Sequence, residues 1–319
     1  MTEARASEVR DAEKTLRRLE LTVVRRLDGL LQGDHLGLLP GPGSEPAAVR
    51  PYQPGEDDVR RMDWGVTART THPHVRDLVA DRELETWALV DGSASMDFGT
   101  ARAEKRDLAV AAVAAVGFLS ARAGNRLGAY VLRPGGLGRS PARAGRPALL
   151  GLVTALLSAP RTPPGAGPGP ALADGITMLD RRHRRRGLRV VVSDFLDDGP
   201  WEEPLRRLAA RHQVLAVEVV DPRELELPDV GLLAVVDPET GRRREVWTGR
   251  RAVRTGYAEA AAAHRLEVRT ALRRAGADHL VLRTDRDWVR DMARFATDRR
   301  RRRRAPAARR SPVQNRSAL

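Results

Sequence analysis

Thr86-Trp87-Ala88-Leu89-Val90-Asp91-Gly92-Ser93-Ala94-Ser95 passes within ten residues from an apolar run to a polar loop. The apolar part is short enough for a strand, and an amphipathic stretch at 102–123 reads as the helix after the loop. Asp91, Ser93 and Ser95 stand two residues apart on that loop, so one carboxylate and two hydroxyls can converge on a hard cation. Such oxygens suit Mg²⁺, which keeps several waters and leaves a coordination position open for a group from a partner. The competing reading is a polar turn, with Ser93 or Ser95 capping the next helix and Asp91 accepting backbone hydrogen bonds. Placement at the carboxyl end of a strand favours a ligand site, because open α/β sheets bind there.

Working outward, short Val/Leu-rich runs alternate with helical patterns. Helices are expected near 102–123, 147–158, 171–185, 201–211, 250–275 and 285–298, and strands at 86–90, 126–132, 188–192, 214–220 and 279–283. A two-stranded insertion is expected around 232–236 and 245–248, and a further strand near 75–79. This alternation predicts an α/β fold, a doubly wound and mainly parallel sheet with flanking helices. Upstream, Leu16, Leu19, Val23, Leu27 and Leu30 recur at helical spacing. The expected organisation is therefore an amphipathic helix at 1–33, an irregular lead-in at 34–85, the α/β domain at 86–298 and a disordered tail at 299–319.

Composition narrows the function. The chain of 319 residues has no cysteine, which removes disulfides, cysteine-based zinc sites and thiol nucleophiles. No signal peptide is evident, and the longest uncharged helical run, 108–121, is too short to span a bilayer, so a cytoplasmic location is expected. The formal charge is +14, but nine arginines and no acid lie in 299–319; subtracting nine from +14 leaves +5 for the rest. Of 56 basic residues only Lys14 and Lys105 are lysines. A second basic cluster, Arg181, Arg182, Arg184, Arg185, Arg186 and Arg189, reads as a solvated helix end. No nucleophile elbow, Walker loop or dinucleotide glycine fingerprint occurs. His72-Pro73-His74 has no evident third ligand for zinc, and the Glu56, Asp57, Asp58 cluster reads as ion pairs around a turn.

Ser193-Asp194-Phe195 ends the 188–192 strand as Asp91 ends its own, so neighbouring strands would bring both carboxylates to one crevice. The alternative is a helix N-cap by Asp194 or Asp197. Asp91-Gly92-Ser93-Ala94-Ser95 followed by Ser193-Asp194 resembles the metal-ion-dependent adhesion site of von Willebrand factor A-type domains. Tyr52-Gln53-Pro54-Gly55-Glu56-Asp57-Asp58-Val59-Arg60-Arg61-Met62-Asp63-Trp64, then Thr67-Ala68-Arg69, Met96-Asp97-Phe98-Gly99, Asp221-Pro222-Arg223-Glu224 and Leu227-Pro228, resemble the bacterial family catalogued as domain of unknown function 58. That resemblance covers about 50–290. It implies a von Willebrand factor A-like fold, a non-enzymatic adaptor role and partnership with a MoxR-type AAA+ ATPase or its client protein. It also implies Mg²⁺ held by Asp91, Ser93, Ser95 and Asp194. The threonine that such domains supply from the intervening loop aligns with Pro170, which has no side-chain oxygen, while Thr162 lies eight residues away. Two further function classes stay open: nucleic-acid binding through the arginine-rich tail and a metal-dependent phosphoesterase.

Overall fold

The computed structural model describes residues 49–53, 62–70, 72–76, 85–122, 124–167, 169–197 and 199–304. The expected helix at 1–33, residues 54–61 of the motif and the end of the tail lie outside the described residues.

Buried, β-branched runs build the central sheet. In β3 (Glu85–Asp91) five successive residues are buried. All six residues of β6 (Leu188–Ser193) and seven of eight in β7 (Gln213–Val220) are buried as well. Strands covered on both faces have no polar side to show, hence unbroken apolar runs rather than alternation. With β4 (Arg126–Arg133), β5 (Gly136–Arg143) and β10 (Asp278–Arg283) they form one sheet in the order β10-β7-β6-β3-β4-β5. Every pairing is parallel except β4 with β5. The chain winds outward in one direction from β3 and then in the other from β6, so the strand order reverses between these two neighbours.

One face packs against α2 (Lys105–Arg122), α3 (Arg146–Leu157) and α7 (Trp288–Arg304). The other packs against α4 (Leu172–Arg182), α5 (Glu202–Arg211) and α6 (Arg251–Ala275). Alanines 109, 111, 112, 114 and 115 let α2 lie close to the sheet, and it is buried from Leu108 to Leu119 on nearly all sides.

The edge strand β5 was not expected from the sequence. Gly136, Gly138 and Pro141 give it neither an apolar run nor strong strand propensity. An edge tolerates them: one extra residue in β5 makes a bulge opposite 127–129, where Pro141 removes no necessary donor. The hairpin of β8 (Leu232–Val236) and β9 (Arg243–Trp247) forms a separate two-stranded sheet, as expected. In the lead-in, β1 (Val49–Pro51) pairs antiparallel with β2 (His74–Arg76), one residue earlier than the expected strand. Between them α1 (Trp64–Thr70) begins at Asp63, whose Oδ1 accepts from the N–H groups of Gly65 and Val66 at 3.0 and 3.1 Å.

Two expectations about arginines need correction. The domain boundary at 298 falls inside α7, which continues to Arg304, because Arg299 is buried and its Nη2 reaches Asp278 Oδ2 at 2.6 Å. Arg189 is fully buried rather than solvated. Its guanidinium donates to the carbonyls of Glu85, Leu188, His183 and Arg185 at 2.8–3.0 Å and ties down the chain after α4. Arg181, Arg182, Arg184, Arg185 and Arg186 are exposed, as expected, at the amino rim of the sheet. The end of α7 returns to that rim, as the Arg299–Asp278 pair at the start of β10 requires.

Candidate metal centre

Asp91 is the last residue of β3, and Asp194 follows the last residue of the adjacent β6. Both carboxylates therefore stand at the carboxyl rim, at the point where strand order reverses. The register places Ser193 beside Asp91, and the Ser193 hydroxyl donates to Asp91 Oδ2 at 2.7 Å. Asp91 Oδ1 accepts from the Ser93 N–H at 3.0 Å. Gly92 turns the chain hard against β4: its N–H meets the Leu132 carbonyl at 2.8 Å, the same distance at which that oxygen would meet a Cβ. Only glycine fits there without displacing backbone.

The four candidate ligands converge. Ser93 Oγ lies 3.1 Å from Ser95 Oγ, which donates to Asp194 Oδ2 at 2.7 Å. Asp194 Oδ1 accepts from the Leu196 N–H at 3.1 Å. Phe195, fully buried, adopts φ 55° to make this corner, a strained choice for a side chain with a Cβ. Pro170 is the residue before the N-cap of α4 and brings no side-chain oxygen. The hydroxyl of Thr162 goes to the Gly92 carbonyl at 2.9 Å and its N–H to Asp97 Oδ2 at 2.7 Å. Thr162 thus braces the loop that carries Ser93 and Ser95.

Residues that sequence reasoning missed complete the cluster. Lys105, at the start of α2, is fully buried and donates to Asp194 Oδ2 at 2.7 Å and to Glu224 Oε1. Burial works to lower its pKa, but the Asp194 and Glu224 carboxylates override that and leave it raised. Glu224 closes a capping box with Asp221, accepting from the Asp221 N–H at 2.9 Å. Asp221 in turn accepts from the hydroxyls of Thr100 and Thr284, both at 2.6 Å. Burial, with the negative Asp194 beside it, pushes the Asp91 carboxyl up to about 6, against the hydrogen bonds from Ser93 and Ser193.

Lys105 pairs with Asp194 and Glu224, while the Asp91 carboxylate beside Asp194 has hydroxyl and amide donors but no ion pair among the described residues. Among the described residues no three of His, Cys, Asp and Glu form a metal-holding group. The candidate donor set expected from the sequence is two carboxylates and two hydroxyls. All are hard oxygens, a composition that fits Mg²⁺ or Mn²⁺ retaining waters and does not fit zinc.

Rv1480, an uncharacterised protein of Mycobacterium tuberculosis, is 57% identical over 286 residues, covering 90% of this chain and 89% of its own. A shorter uncharacterised protein of Mycobacterium avium is 48% identical over 163 residues, 51% of this chain and 95% of its own. Among solved structures, the conserved hypothetical protein BatB of Bacteroides thetaiotaomicron superposes with a TM-score of 0.41 at 14% identity over 68% of this chain and 99% of its own. The SpRpn10 VWA domain gives 0.36 at 12% identity over 66% of this chain and 93% of its own. The profile of one family, described as a protein of unknown function, matches residues 48–267, and by that match the chain belongs to the DUF58 family.

Proposed function

We propose that the chain is a non-enzymatic adaptor of von Willebrand factor A type that recognises a protein partner through Mg²⁺ held by Asp91, Ser93, Ser95 and Asp194. Held there, the ion supplies the positive charge to which an Asp or Glu of the partner binds. The observation that carries this reading is the chain of contacts from Asp91 through Ser93 and Ser95 to Asp194 at the reversal of strand order. The proposed partner is a MoxR-type AAA+ ATPase or its client. Exposed Phe98 and Leu196, close in sequence to Ser95 and Asp194, offer apolar surface for that contact.

The protein's own groups support binding over catalysis. The Ser93 hydroxyl meets Ser95, and the Ser95 hydroxyl donates to Asp194, a carboxylate already held by Lys105, so neither meets the histidine that commonly activates a serine nucleophile. The test is titration calorimetry with Mg²⁺ and Mn²⁺ on the wild type and Asp91→Ala. Heat of binding in the wild type that Asp91→Ala abolishes is the expected result; no heat at millimolar metal removes the ion from this account. Co-purification with a MoxR-type ATPase, lost on adding EDTA, tests the partner.

A further inference from the structure

The β8–β9 hairpin reaches the metal centre. Glu239, at its tip, accepts from the Ser95 N–H at 3.2 Å across 144 residues of sequence. That amide belongs to a candidate ligand whose hydroxyl is bonded to Asp194.

The contact does not depend on the Glu239 side chain alone. The Gly165 N–H donates to the Pro238 carbonyl at 3.0 Å, joining the hairpin tip to the 160–170 loop. Gly165 and Gly241 face one another with φ of 78° and 69°, and a Cβ on Gly241 would lie 3.2 Å from Gly165 Cα. Both positions need the left-handed region, and the close approach leaves little room for a side chain. Asp237 shapes the turn: its Oδ1 accepts from the Glu239 N–H at 3.0 Å, and its carbonyl accepts from the Gly241 N–H at 2.8 Å. The same 160–170 loop sends Thr162 to the Gly92 carbonyl, so loop, hairpin tip and ligand loop form one connected assembly.

The electrostatics of this arrangement are lopsided. Among the described residues no basic side chain pairs with Glu239, though Arg242 and Arg243 follow it closely in sequence. The hairpin therefore adds a carboxylate to a crevice where Asp91, Asp194 and Glu224 already outnumber Lys105. Like charges brought together this way are costly without a cation and favourable with a divalent one.

We propose that Glu239 is the chain's own acidic occupant of the centre, standing where a partner's carboxylate binds, so that recognition exchanges one carboxylate for another. This rests on the metal-centre reading above. The hairpin is then a built-in competitor that keeps the ion covered until an acid of better fit displaces it.

Mn²⁺ serves as the probe, with the full chain as wild type, Glu239→Gln, Glu239→Ala and Asp91→Ala. Affinity is read by calorimetry, and inner-sphere water by the relaxation of water protons. Glutamine keeps an acceptor for the Ser95 N–H but lacks the charge. Both Glu239 variants should weaken Mn²⁺ roughly tenfold, because ligand charge tunes affinity. Both should also raise the relaxation rate by opening a water position, and acetate should reverse that rise in the variants but not act on the wild type. If Glu239→Gln matches the wild type in affinity and relaxation while Asp91→Ala loses Mn²⁺, Glu239 is only a tether and the proposal falls, with the metal centre intact. If the wild type itself takes up no Mn²⁺, both readings fall together.

Discussion

Lys105 is one of two lysines among 56 basic residues, and it sits as a compact ammonium between two carboxylates with no exposure. Lys105→Met leaves those carboxylates buried without their counter-ion and should cost about 3–5 kcal/mol in urea unfolding. Millimolar Mg²⁺ should recover more stability in that variant than in the wild type. His212 carries a different burden. It is 4% exposed, and neither ring nitrogen has a hydrogen-bond partner among the described residues. Burial, then the neighbouring Arg189 charge, lowers its pKa to about 4. The folded value lies below the unfolded 6.5, so the unfolded chain takes up the proton first. Stability present above the unfolded value is lost as pH falls through the folded one. His212→Phe should therefore stabilise by about 1 kcal/mol at neutral pH, where it removes unsatisfied nitrogens. The gain should widen between pH 6.5 and 4, read as melting temperature against pH; His183, lowered to about 4 in the same way, keeps part of the slope. At this scale the sequence was half readable. Asp91, Ser93, Ser95 and Asp194 are visible because spacing and strand ends announce them. Lys105, Glu224 and Glu239 join through contacts spanning 89 to 144 residues that only register and helix rotation decide. The local signs were the rarity of lysine and the Asp221–Glu224 motif.

β3 and β6 meet along five paired positions, and the start of that seam has no slack. A Cβ on Gly187 would lie 2.2 Å from the Glu85 carbonyl oxygen, which belongs to the backbone and cannot swing aside. Gly187→Ala should cost about 1–3 kcal/mol through this overlap. By moving β6 against β3 it should also weaken metal binding, measured by calorimetry on the folded variant. The last helix offers a second test. A chain ending after Arg304 keeps the whole of α7 and serves as the reference. Ending it after Asp298 removes the buried Arg299, with its contacts at 2.6 and 2.9 Å to Asp278, and should cost about 1–3 kcal/mol by thermal unfolding. The elements most readable from sequence were those buried on both faces, β3, β6 and β7, because burial writes a continuous apolar run. β5 was invisible because an edge strand needs few apolar residues. The continuation of α7 was hidden because a run of arginines reads as a tail until one of them finds Asp278.

Two charged clusters stand at opposite rims of the sheet. Exposed arginines 181, 182, 184, 185 and 186 and the end of α7 stand at the amino rim. Asp91, Asp194, Glu224 and Glu239 gather at the carboxyl rim. Among the described residues no helix is long and apolar enough to cross a membrane. On the proposed function, the formal charge of +14 should draw an acidic partner from a distance, and the dication should hold it at the crevice. A fluorescent oligoglutamate peptide should show the two effects in stopped flow with Mg²⁺-loaded protein. Its association rate should fall roughly tenfold from low to high salt, and deleting 305–319 should slow association without changing dissociation. A chelator should shorten the lifetime of the complex. An association rate indifferent to salt would sink this picture. On the proposed function, the separation of the two rims would divide the work of recognition in time: arginines far from the crevice would govern how often an acidic partner arrives, and the small oxygen cluster how long it stays. Evolution or an engineer could retune the frequency of encounter without touching the residence time, because the two clocks sit at opposite ends of the same strands.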